Sequence, residues 1–202
     1  MKNFTSYLTV FLLFFSLNTF AQNNKSGATK FFSGWNFAAT AGVNFSAMFG
    51  DVANDTNTAF LIFANAGLVI DKEHNEEWIL GFEPHFSGEG QTYSSGYERV
   101  LYLNLPFLGK YRVAKKLTLD GGIHVGVKIL ERRKTEDSGS ESNNRFSRVA
   151  PGFTVGSTYN LDQDWFVQFR THYKISDVIR KDAGDTEGSS ILTLQLSVGR
   201  RF

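Results

Sequence analysis

Apolar and polar side chains alternate along segment after segment of this 202-residue chain. Near the C-terminus, Leu192, Leu194, Leu196 and Val198 alternate with small polar residues. That period is typical of a β-strand, whose successive side chains point to opposite faces of a sheet. We predict eight such strands, at residues 35–46, 59–70, 78–87, 97–112, 117–129, 149–160, 165–176 and in the C-terminal stretch 189–202.

The two faces of these strands differ in charge. The ionisable residues share the polar face: Glu83, His85, Lys110, Asp120, His124, Lys128, Arg170, His172, Lys174 and Arg201. A soluble ligand-binding barrel would show the reverse, with apolar residues inside and charges outside. The apolar face is therefore expected to meet lipid. The sheet must then close, because an open edge in hydrocarbon leaves backbone groups without hydrogen-bond partners.

The connections between the predicted strands alternate in length. Long polar connections span residues 47–58, 88–96, 131–145 and 177–190, and short ones span 71–77, 113–116 and 161–164. Each strand is long enough to cross a bilayer at a tilt. We therefore predict an all-β fold over residues 22–202: an eight-stranded antiparallel up-and-down transmembrane β-barrel with four long outer loops and three short periplasmic turns.

The N-terminus predicts export. Lys2 precedes an apolar run from Tyr7 to Leu17, and the small residues Thr19 and Ala21 precede the expected cleavage site. This pattern indicates a cleaved secretory signal peptide at residues 1–21, too short to span a bilayer as a helix. A signal peptide followed by a barrel places the protein in the outer membrane of a Gram-negative bacterium, with outer-membrane lipid as its surroundings.

Composition excludes several classes of protein. The chain has no cysteine, so it has neither disulfides nor thiolate metal sites, and no lipid-anchored cysteine. Once residues 1–21 are set aside, acidic residues and Lys plus Arg balance. This balance argues against nucleic acid or acidic lipid as a partner recruited by bulk charge, because such recruitment needs a net positive charge.

The stretch "LYLNLPFLGKYRV" at 101–113 resembles a known family, the PorT-like small outer-membrane β-barrels of the Bacteroides–Flavobacterium group. The residues that match its mid-strand pattern are Tyr102, Leu103, Leu105, Pro106, Lys110 and Tyr111. "ILGFEPHFSGEG", "LDGGIHVGVKI" and "VQFRTHYKISDV" resemble other strands of that family. The resemblance implies an eight-stranded barrel, and Phe202 resembles the C-terminal aromatic residue that barrel-assembly machinery recognises. It implies no single activity, although the name-giving member is tied to protein secretion.

The inward-facing charges are the candidate site. We expect a lumen charge network of Glu83, Lys110, Asp120, Lys128, Arg170, Lys174 and Arg201. The interior of an eight-stranded barrel is just wide enough for side chains, and buried charges need partners of opposite sign. The expected role of the network is structural.

Other chemistry is less well supported by the sequence. His85, His124 and His172 face inward, but their strands are not mutual neighbours, so we expect no metal site. Ser87, Ser94 and Ser95 lie near His85, as the serine of a lipid-modifying barrel enzyme would, but no motif pairs a nucleophile with a base. No cofactor is expected.

Three functions follow from this fold. The first is a non-enzymatic structural or accessory component of the envelope or its secretion machinery. The second is a narrow pore for ions or small solutes, and the third is a lipid-modifying enzyme. The expected partners are outer-membrane lipid, barrel-assembly machinery during biogenesis, and envelope or secretion proteins.

Overall fold

The computed structural model describes residues 34–49, 59–93, 96–135, 146–175 and 190–202. The predicted signal peptide lies outside them. No helix in this part of the chain is long and apolar enough to span a membrane. The described residues form nine strands: β1 (Trp35–Phe49), β2 (Ala59–Glu73), β3 (Trp78–Phe82), β4 (His85–Tyr93), β5 (Gly96–Ala114), β6 (Leu117–Thr135), β7 (Val149–Asn160), β8 (Trp165–Lys174) and β9 (Ser190–Arg201).

The strands form one antiparallel ring. β5 to β9 pair in chain order, β9 pairs with β1, and β1 pairs with β2. β2 and β5 both pair with β3 and with β4, so β3 and β4 together fill one place in the ring. The ring is therefore an eight-stranded antiparallel up-and-down barrel, and this part of the predicted fold is confirmed.

The division between β3 and β4 comes from the Glu83–Pro84 pair. Proline has no N–H to donate and is disfavoured inside a central strand. Bonds on both sides hold the break in the sheet: Leu68 N donates to the Pro84 carbonyl at 2.9 Å, and Glu83 N donates to the Pro106 carbonyl at 3.1 Å. The predicted strand 78–87 is thus two shorter strands aligned end to end.

Among the described residues, one connection differs clearly from the prediction. Residues 88–96, predicted to be a long loop, are almost entirely strand, because β4 runs to Tyr93 and β5 begins at Gly96. The prediction of a long loop there was wrong. The other three predicted outer loops lie mostly outside the described residues. The short turns are present at residues 74–77, 115–116 and 161–164.

Two of the short turns have the same internal bonding. In one, Asn75 Oδ1 accepts bonds from the Trp78 and Glu77 N–H groups at 2.7 and 2.9 Å. In the other, Asp162 Oδ1 accepts from Trp165 N at 2.7 Å and from the Asp164 N–H at 2.8 Å. These donors hold the pKa of the Asp162 carboxyl below its usual range. Each turn is followed by a tryptophan at the start of the next strand, Trp78 in β3 and Trp165 in β8.

The barrel is inside out compared with a soluble protein. Ile62, Leu80 and Leu130 on the outer surface are each more than 60% exposed. The lumen instead buries polar side chains such as Asn44 and Thr154. This is the pattern of a barrel whose outer surface contacts lipid and whose interior is polar.

Candidate functional site

Five charged side chains form an ion cluster in the lower, periplasmic half of the lumen. Arg170 from β8 is 1% exposed and donates from Nη2 to Glu83 Oε1 at 2.8 Å and from Nε to Asp120 Oδ1 at 3.1 Å, and its Nη1 also pairs with Glu83. Lys110 from β5 lies 2.5 Å from Glu83 Oε1 and 2.7 Å from Asp71 Oδ1. Two cations therefore hold three carboxylates across the barrel.

A second ion pair lies nearer the outside. Lys174 Nζ contacts both carboxylate oxygens of Glu89 at 2.6 Å, and both side chains are fully buried. Ser87 Oγ and Asn104 Nδ2 donate to the same carboxylate at 2.8 and 3.0 Å. Such charge-assisted bonds from several donors are the arrangement that a buried carboxylate needs.

Three histidines occupy the space between the two ion layers. The rings of His85 and His172 have centroids 5.2 Å apart, and those of His124 and His172 are 5.5 Å apart. Thr154 Oγ1 lies 2.9 Å from Nδ1 of both His124 and His172, and His172 Nε2 lies 2.8 Å from Gln195 Oε1. The sequence argument kept these histidines apart because their strands are not neighbours, but they meet across the lumen.

The histidine layer is bonded through hydroxyl and amide groups. Among the residues that the structure describes, no group of three or more His, Cys, Asp or Glu could hold a metal ion. Gln195 Oε1 can only accept a bond, so His172 donates to it from Nε2 and accepts at Nδ1 from Thr154. Thr154 then accepts from His124. Side chains alone make this chain of bonds, and the buried Nε2 of His124 has no hydrogen-bond partner among the described residues.

An apolar cap closes the outer end of the lumen. Its members are Met48, Val100, Tyr102, Phe146, Ala150 and Ile191, all nearly or fully buried. Lys174 lies beneath the cap, with Nζ 4.6 Å from the centre of the Tyr102 ring. The cap therefore separates the ion layers from the outside of the cell.

The periplasmic end is open by contrast. A cavity of about 440 Å³ is lined there by strand ends and turns, including Asp71, Arg112, Lys115 and Arg201. Lys110 also lines it, so the cavity ends on the lower ion cluster. We call this space the periplasmic vestibule. Through the vestibule, water reaches the lower ion cluster.

The structure divides the seven predicted network residues among separate groups. Glu83, Lys110, Asp120 and Arg170 meet in the lower cluster. Lys174 belongs to the upper pair, and Lys128 pairs with Glu131 at 2.8 Å near the outer rim. Arg201 lines the vestibule and donates to Asn160 Oδ1 at 2.6 Å. Phe202, the predicted assembly signal, donates from its backbone N to the Phe37 carbonyl at 3.0 Å, beside the β1–β9 seam.

Sequence reasoning missed three carboxylates of these groups, Asp71, Glu89 and Glu131. All three fell in segments predicted to be connections. A signal for Glu89 was present, because His85, Ser87 and Glu89 continue one alternating row.

Residues 20–180 match a known protein family, the outer membrane protein beta-barrel domain. The chain belongs to this family. It is an integral outer-membrane β-barrel protein, located in the outer membrane of a Gram-negative bacterium. The family match is broader than the PorT-like resemblance. Among curated protein sequences, none matches the chain significantly.

Solved structures of outer-membrane β-barrels share the fold. Ail, the attachment invasion locus protein of Yersinia pestis, is 17% identical with a TM-score of 0.54, over 83% of this chain and 98% of Ail. Neisserial surface protein A is 10% identical with a TM-score of 0.54, over 84% of this chain and 98% of its own. At these identities the likeness extends to the fold alone.

Proposed function

We propose that this outer-membrane barrel is a closed, non-enzymatic protein of the PorT-like type, a structural or accessory component of the envelope or of its secretion machinery. The observation that supports this role best is the filled lumen. An apolar cap, an ion pair, a histidine layer and an ion cluster lie one below another, and their charged members are paired. Its partners are then reached through the loops and the periplasmic vestibule.

The filled lumen speaks against a pore. Conduction requires that an ion enter and leave its sites easily. An ion crossing this lumen would have to break the Arg170–Glu83 and Lys174–Glu89 contacts, whose side chains are almost fully buried.

The bonding around the candidate nucleophiles speaks against an enzyme. The hydroxyl of Ser87 donates a hydrogen bond to Glu89, and the same carboxylate pairs with Lys174. Thr154 does lie between two histidines, but it is 0% exposed in mid-lumen, where no substrate has access. Ser94 and Ser95 lie outside the described residues.

A conductance measurement tests the closed lumen. We expect the purified protein, reconstituted in a planar bilayer, to give no discrete current steps under conditions where a porin control conducts. A Phe146→Gly variant, which opens only the cap, should stay silent because both ion layers remain below it. Steady ohmic current through the unaltered protein would favour the pore instead.

A deletion strain tests the accessory role. We expect loss of the gene to reduce the amount of protein secreted to the medium or to increase sensitivity to detergent, and the full-length gene to restore both. A strain that secretes normally, resists detergent normally and loses only uptake of a small solute would contradict the accessory role.

A further inference from the structure

Two arginines face each other on the outside of the barrel. Arg99 on β5 is the direct cross-strand partner of Arg132 on β6, and both side chains are exposed. Like charges directly opposite each other destabilise a sheet. The pair therefore favours an anion that binds between the two guanidinium groups.

The protein supplies no such anion among its described residues. On β4 the partner of Arg99 is Gly90, which has no side chain to offer. The nearest acids in sequence, Glu98 and Glu131, are turned to the opposite face and nearly buried. β7 begins at Val149 and does not extend along β6 as far as Arg132. Within the described strands the pair is thus left without a compensating charge, and an anion from the surroundings of the barrel can supply it.

A β-bulge produces this arrangement. The β5–β6 register shifts so that Leu101 pairs with Leu130 while Tyr102 pairs with Lys128, which leaves Ile129 as an extra residue. A bulge redirects the side chains that follow it. Without the bulge, simple alternation from Lys128 would turn Arg132 into the lumen. With it, Glu131 turns inward to Lys128 and Arg132 points to the membrane.

The arginine pair lies at the height of the outer headgroups. On the periplasmic side, the rings of Trp78 and Tyr111 contact each other at a tilt, with centroids 5.0 Å apart, and mark the inner aromatic girdle. Arg99 precedes Tyr111 by about 12 residues. At about 3.3 Å per residue and a strand tilt of about 40°, this separation is roughly 30 Å along the membrane normal. The apolar band of an outer-membrane barrel is only about 25 Å tall, so Arg99 lies beyond it. Leu130, 61% exposed, lies just below the arginines, toward the apolar band.

We infer that Arg99 and Arg132 bind a phosphate group of lipid A, the phosphorylated glycolipid of the outer leaflet, whose acyl chains pack on the apolar surface below. Two guanidinium forks match phosphate oxygens in geometry as well as charge. The Arg99 guanidinium lies 3.9 Å from the centre of the Tyr97 ring, which orients it. This site does not depend on the function proposed above.

The test is a titration of the purified full-length barrel in detergent with diphosphoryl lipid A, followed by native mass spectrometry. We expect the Arg99→Gln/Arg132→Gln protein to bind lipid A about tenfold more weakly or worse, as the loss of charge-assisted bonds predicts. Each single variant should show a smaller loss. Lipid A stripped of its phosphates should bind the unaltered protein as weakly as the double variant binds the intact lipid.

The matched control is Lys72→Gln/Arg200→Gln. These two exposed cations also lie over aromatic rings, at 5.2 Å from Trp35 and 5.7 Å from Trp165, but at the periplasmic end. This variant should keep the affinity of the unaltered protein. Three results would each overturn the site. The two double variants could lose lipid A affinity equally, or the Arg99→Gln/Arg132→Gln variant could lose none. The unaltered protein could also bind phosphate-free lipid A as tightly as the intact lipid. Heat-dependent gel mobility shows whether each variant is folded. Together with the single substitutions, it separates loss of binding from loss of folding.

Discussion

Replacing Arg170 by Met is expected to lower the free energy of unfolding by about 3–5 kcal/mol. The variant keeps most of the side-chain volume and removes the charge that holds Glu83 and Asp120. Lys110 still contacts Glu83, whereas the one side-chain bond that Asp120 keeps among the described residues is a long one from Thr158 at 3.5 Å. Urea unfolding in phospholipid vesicles, followed by tryptophan fluorescence, measures the loss.

The matched control for that substitution is Arg112→Met. Arg112 also pairs with a carboxylate, Glu73 at 2.9 Å, but both side chains are about a third or more exposed. Exposed pairs contribute at most about 1 kcal/mol, because water screens them and solvates the partner that remains. If the two substitutions lowered the free energy of unfolding equally, burial of the lower cluster would not explain the contribution of Arg170 to stability.

Replacing Lys174 by Met should destabilise the barrel by a similar amount, about 3–5 kcal/mol, because it leaves the Glu89 carboxylate buried without its cation. The double variant Glu89→Gln/Lys174→Met should recover most of that loss. A neutral pair in the same space needs no counter-charge, and Ser87 and Asn104 can still bond the amide. We expect a coupling energy of about 2–3 kcal/mol between the two positions from a double-mutant cycle.

The cycle has an outcome that would contradict the ion-pair account. If the two single substitutions added without coupling, the loss in Lys174→Met would come from packing under the Tyr102 ring rather than from charge. The single substitution Glu89→Gln helps to separate the effect of charge from the effect of packing, since it removes the negative charge and leaves the packing of Lys174 in place.

The face of each strand could be predicted from the sequence because alternation fixes it directly. Arg170, His172 and Lys174 follow one another at every second position of β8, and all three are buried in the lumen. The charge contrast between the faces also indicated that the apolar side meets lipid.

The height of each charge in the lumen could not be predicted, because it depends on the stagger between strands that are not neighbours in the chain. Arg170 meets Glu83 across the barrel, 87 residues away. The same stagger brings His85 and His172 together. A single alternating pattern contains no information about that offset.

The local sequence was misleading at two places, once through its composition and once through its alternation. The stretch "SGEGQTYSSG" has the glycines and serines of a loop, yet its first part is strand and carries Glu89 into the lumen. Past Ile129 the bulge inverts the alternation, so the same pattern that was right for Lys128 assigns Glu131 and Arg132 to the wrong faces.

Closure of the ring between β1 and β9 has a consequence for folding kinetics. Every other strand pairing joins segments close in sequence, whereas residues paired across this seam, such as Phe45 and Leu194, are about 150 positions apart, a long-range contact of the kind that slows folding. The hairpins can form early and locally, but the chain entropy of closing the largest loop is lost in one final step. We therefore expect substitutions along this seam to change the folding rate more than equally destabilising substitutions elsewhere in the sheet.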